Sequence, residues 1–99
     1  MQGINTIDYA ILAVSTAAVG LTDATPTLPD KAKRAFITAE TQAVRWRADG
    51  TAPTADEGHV LAADDSISFT GANYRQLLEN IQFIATSAGD GALKITYFE

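Results

Sequence analysis

The chain has 99 residues, 46% of them hydrophobic and 19% charged, and its seven Lys and Arg against twelve Asp and Glu give a net charge of −5. That length allows one domain with a modest core, the apolar content argues against a disordered chain, and the acidic balance argues against a free-standing nucleic-acid binder. With no cysteine in the chain, a disulfide framework, a thiolate metal centre and a cysteine nucleophile are all excluded.

Met1–Thr6 reads as a short, loose lead. Ile7–Leu21 is apolar, but Asp8 sits at its start, no basic stretch precedes it, and it is shorter than the ~20 residues of a spanning helix, so neither a signal peptide nor a membrane segment is expected. Its residues suit a strand buried on both faces or an Ala-rich buried helix, and Ser15, Thr16 and Val19 favour the strand. Thr22–Lys33 carries Pro26 and Pro29 and is a connection rather than a central strand. Arg34–Gln42 alternates as a strand, with Phe36 and Thr38 against Ala35, Ile37 and Ala39, and Thr41-Gln42 is a polar join. Ala43–Ala48 is the next strand, with Val44, Trp46 and Ala48 on one side and Arg45 and Arg47 on the other.

Asp49–His59 reads as a long polar loop with turn residues at Asp49-Gly50, Pro53 and Gly58. Val60–Ala63 is a short strand, Asp64-Asp65 a turn, and Ser66–Thr70 a strand with Ile67 and Phe69 inward. Gly71–Asn80 has helical spacing at Tyr74, Leu77 and Leu78, enough for one or two turns. Ile81–Thr86 is a strand with Ile81, Phe83 and Ala85 on one face. Ser87–Gly91 is a hairpin connection and Ala92–Phe98 the last strand. Seven or eight short strands at roughly ten-residue spacing predict an all-β, single-domain antiparallel β-sandwich or jelly-roll-like barrel with one short helical turn.

Little in this pattern points to chemistry. His59 is the only histidine. A metal or catalytic role would need partners, for which Asp49, Asp56 and Glu57 are near in sequence, but a bond to the loop backbone is the simpler expectation. Asp49-Gly50-Thr51 lacks the alternating ligands and closing Glu of a calcium loop. Arg45 and Arg47 face the same way without a wider basic patch, so pairing with carboxylates across strands, or with a neighbouring subunit, is expected before phosphate binding. Trp46 is expected in the core. If it were a ligand platform, the chain would be a carbohydrate-binding module with its loops Asp49–His59 and Ser87–Gly91 at one end. No serine has the Gly-x-Ser-x-Gly context, and no carboxylate pair suits a glycosidase. No catalytic, cofactor or metal residue is assigned and no enzyme is expected. The candidate interaction residues are Arg45, Arg47, Asp49, Thr51, Asp56 and His59.

The run RWRADGTAPTADEGHVLAADDSISFTG, followed by IQFIATSAGDGALKITYFE, resembles small proteins encoded in structural gene clusters of tailed phages and prophages. The positions that carry the resemblance are Arg45, Trp46, Arg47, Asp49, Gly50, Thr51, Pro53, Thr54, Gly58, His59, Leu61, Ile67, Phe83, Ile84, Thr96 and Tyr97. They span the C-terminal two thirds, and residues 1–33 carry no such motif. The resemblance implies a β-sandwich of the virion, assembled in the host cytoplasm. Its expected role is capsid decoration (a cement protein) on the major capsid protein, as a homo-oligomer such as a trimer, without nucleic acid or membrane partners. A head–tail or tail component forming a ring is the alternative.

Overall fold

The computed structural model describes residues 5–87 and 90–99. Eight strands are found among them: β1 (Thr6–Val14), β2 (Val19–Gly20), β3 (Arg34–Glu40), β4 (Val44–Arg47), β5 (His59–Leu61), β6 (Ser66–Phe69), β7 (Gln82–Ala85) and β8 (Gly91–Phe98). A 3-10 turn at Leu21–Asp23 and one helix, α1 (Arg75–Asn80), complete the elements. The strands form two four-stranded antiparallel sheets, one ordered β1-β8-β3-β6 and the other β2-β7-β4-β5. They form a sandwich, and among the described residues no barrel closes.

Period-two alternation decides what lies between the sheets. From the first sheet, Ala10, Leu12 and Val14 of β1, Ala35, Ile37 and Ala39 of β3, Phe69 of β6, and Leu93, Ile95 and Tyr97 of β8 are buried. The second sheet contributes Val44, Leu61, Phe83 and Ala85. Leu21, Ala24, Leu28 and Ala32 from the connection, with Leu78 and Ile81 around α1, join the same core.

Polar clamps hold the connection in place. Arg75 donates to the carbonyls of Pro29 and Ala32 and pairs with Glu79 at 2.8 Å. Arg34 donates to the carbonyls of Gly71, Ala72 and Glu99. Each guanidinium thereby satisfies loop carbonyls that no ladder reaches.

The structure corrects several boundaries and one burial expectation. The lead is tied down at its end, because Glu99 N–H donates to the Asn5 carbonyl and Thr6 pairs with Phe98. The Ile7–Leu21 stretch is not one strand. It breaks after Val14, and the remainder forms β2 and the 3-10 turn. Nor is β1 buried on both faces: Ile7, Tyr9 and Ile11 are exposed, since the second sheet covers only one side. The loop ends one residue early, with His59 already in β5 opposite Trp46. Ala88 and Gly89 of the expected hairpin lie outside the described residues.

Candidate functional site

Two surfaces could do work. The first lies where β4 ends and β5 begins. Val44 and Trp46 face inward and Arg45 and Arg47 outward, as the alternation of β4 requires. The Trp46 ring meets Phe69 edge-on, with centroids 5.7 Å apart, and Phe69 in turn meets Tyr74 at 5.6 Å. On its solvent side Trp46 packs against His59, centroids 4.7 Å apart and planes tilted by 39°. Gly58 makes this pairing possible. Its φ is +131°, and a Cβ there would stand 3.0 Å from the Trp46 carbonyl oxygen and 3.2 Å from Pro53 Cβ. Any other residue would push the loop off β4.

Arg45 does not pair with a carboxylate. Its Nε donates to the Ala55 carbonyl at 2.9 Å and a terminal nitrogen donates to that of Gly58 at 2.8 Å. The nearest acceptors are loop carbonyls, because the 49–58 loop folds back over the outer face of β4 with Pro53 buried beneath it. Arg45→Ala is expected to release the loop at a cost of about 1–3 kcal/mol. Faster amide exchange across Thr51–Gly58, with the sheet ladders unchanged, is the measurement that checks it.

Arg47 does find a carboxylate, on its own strand end: a guanidinium nitrogen stands 2.5 Å from Asp49 Oδ2. That hydrogen bond holds the Asp49 carboxyl below its ordinary pKa and raises that of Arg47. Asp49 Oδ1 also accepts from Thr51 N–H at 3.3 Å. Asp56 lies on the exposed outer turn, where its N–H donates to Thr54 Oγ1.

Trp46, Arg47, Asp49, Glu57 and His59 line an open depression of about 560 Å³. Of the six candidate residues, Arg47, Asp49 and His59 share this depression, Arg45 anchors the loop behind it, and Thr51 and Asp56 stand outside. The lining holds no hydroxyl, thiol or amine nucleophile, and its Arg47–Asp49 pair is self-neutralised. Trp46 and Tyr74, the rings a sugar platform would need, are both half-buried and packed on Phe69, which weakens the carbohydrate reading.

The second surface includes the apolar strand near the N-terminus, which the sequence offers as a docking candidate, but extends it across three further strands. It is the outer face of the β1-β8-β3-β6 sheet. Tyr9, Thr96, Phe36 and Ser68 lie side by side in one row across the four strands, and Ile11, Lys94, Thr38 and Ser66 in the next. Tyr9 is 52% exposed, Ile11 45%, Phe36 42% and Ile7 36%. The available signal was β1's apolar residues at both parities, together with Phe36 out of phase with buried Ala35, Ile37 and Ala39.

No family model, no curated protein and no solved structure matches the chain, so its function has to be argued from its own surfaces. Among the described residues, no helix is long and apolar enough to cross a membrane.

Proposed function

We propose that this chain is a structural protein of a tailed-phage particle, a decoration protein that docks on the major capsid protein and stabilises the head. The observation that carries the reading is the outer face of the β1-β8-β3-β6 sheet, where four large apolar side chains stand in the open. Large apolar side chains left open on one sheet face of a small domain mark a place of assembly rather than of chemistry. The resemblance of the Arg45–Tyr97 region to virion-associated proteins supplies the kind of assembly. Binding energy in such a role comes from apolar burial and shape fit, with charge pairs at the rim.

The test is compositional and structural. Particles purified from a host carrying the gene are expected to contain the chain, and a cryo-EM map is expected to place it on the outside of the capsid lattice. Density at the portal or tail would instead make it a ring component. Particles that contain no copies would overturn the reading.

A further inference from the structure

We infer that the outer face of the β1-β8-β3-β6 sheet is an interface between two copies of this chain, packed face to face about a two-fold axis. This rests on the assembly reading above and assigns the apolar face to the contact between copies, so that the paired copies would meet the capsid through their remaining surfaces.

The β1 edge beside the face is closed to a partner. Ile11 exchanges both backbone hydrogen bonds with Thr25, at 3.0 and 2.9 Å. Tyr9 N–H, which points out from the same edge, is taken by Asp8 Oδ1 at 2.8 Å. The β1–β8 register shifts between Thr6 and Asp8. A bulge, a charged side chain and a covering segment are the devices that prevent strand addition. At the β1 edge a partner therefore meets the flat of the sheet and not the strand.

The flat is bare on this side of the sandwich and covered on the other, where the 49–58 loop lies over β4. Taking about 200 Å² for a large exposed side chain, the exposures of Ile7, Tyr9, Ile11 and Phe36 sum to roughly 350 Å². That is the size at which a monomer's largest apolar patch is often functional. Four strands at ~4.8 Å spacing and eight residues at ~3.4 Å give a footprint of roughly 500 Å² before side-chain relief is added. Two such faces together come to about 1,000 Å², the area that a specific interface should clear.

The chemistry of the face fits a second copy. The polar groups beside the apolar ones are hydroxyls: Tyr9, Thr38, Ser66, Ser68 and Thr96. A hydroxyl both donates and accepts, so a surface of hydroxyls is complementary to itself. The charges on the face are already spoken for. Lys94 stands 3.7 Å from Glu40, and Arg34 is turned to three backbone carbonyls. The chain as a whole carries −5, so like copies repel wherever their acidic surfaces meet, and this neutral face is where they can touch. An isologous contact requires this kind of self-complementarity.

Sedimentation equilibrium of the purified full chain tests the inference. The expected mass is twice that of a single chain. In a Tyr9→Arg/Phe36→Arg variant with unchanged circular dichroism, association is expected to weaken on the order of 100-fold. Val60→Arg, which charges the other exposed apolar position, is expected to leave the dimer intact. Should the double variant fail to fold, a nitroxide on Ser68→Cys, unique in a cysteine-free chain, is expected to report a defined inter-protomer distance. A wild-type mass of one chain at every concentration would overturn the inference while leaving the virion reading standing. A dimer that survives the folded double variant would overturn it too, whatever Val60→Arg does. A dimer of the expected kind absent from particles would sink the virion reading alone.

Discussion

Phe83→Ala is expected to remove about 3–5 kcal/mol of stability, the range found when a fully buried aromatic is truncated to alanine. Phe83 is fully buried on β7, paired with Val19 of β2 on one side and Trp46 of β4 on the other. Its ring is the largest side chain the second sheet buries completely. A domain of this size has about 5–15 kcal/mol in total, so the substitution takes a large share of it. At ~4–8 °C per kcal/mol the melting temperature should fall by about 15 °C or more. Val60→Ala, at a position 55% exposed, should stay within about 0.5 kcal/mol of wild type. Thermal melts of the two variants side by side check the contrast. Similar losses in both would mean that the core does not lie between the two sheets as described.

The second large effect is alkaline. Tyr97 is fully buried on β8, and its hydroxyl has no hydrogen-bond partner among the described residues. Burial, reinforced by the nearby Asp8 carboxylate, pushes its pKa up from 10.0 to about 12. The folded chain therefore holds this proton more tightly than the unfolded one. The stability it contributes is fully present below pH 10, falls as pH rises, and is lost by about pH 12. At 1.36 kcal/mol for each tenfold difference in proton affinity, the loss across that window amounts to about 3 kcal/mol. Tyr97→Phe should abolish this slope. It should also stabilise the protein by about 1 kcal/mol near neutral pH, because an unsatisfied buried hydroxyl is removed and the ring stays in place. Urea titrations between pH 7 and pH 11.5 measure both effects. A variant as alkali-sensitive as wild type would assign the slope to another group. Tyr97→Ala, by contrast, should cost as much as Phe83→Ala, since the ring itself fills the core.

Fold class was legible because alternation is local. Arg34–Glu40, Val44–Arg47, Ser66–Phe69 and Ala92–Phe98 each carry their inward and outward sets in adjacent residues, and each became a strand with boundaries moved by a residue or so. The α1 helix was legible for the same reason: Leu78 is buried at the expected spacing, with Tyr74 and Leu77 half-buried beside it. The Ile7–Leu21 stretch was not, because period two says which side chains share a face but not whether anything covers that face. Apolar residues at both parities in Ile7–Val14 suggested burial on both sides, whereas the second sheet covers one side alone.

The candidate interaction residues divide along the same line. That Arg45 and Arg47 share a side of one strand follows from the sequence. That Arg45 serves the loop backbone while Arg47 pairs with Asp49 depends on how the 49–58 loop folds over β4, which Gly58 and Pro53 permit but do not announce. His59 was placed in the loop by its polar neighbours, yet the β4–β5 register sets it against Trp46.

By itself, then, the sequence determined an all-β chain of short antiparallel strands with one helical turn, acidic and without thiols, because composition and side-chain period are properties of neighbouring residues. Only the tertiary structure decided which face of each sheet is covered, that the β1 edge is closed by Thr25 and Asp8, and that Ile7, Tyr9, Ile11 and Phe36 come together as one exposed surface. Those are contacts between residues far apart in the chain, and the pairing of β1 with β8 and of β8 with β3, which no local pattern encodes, is what assembles them.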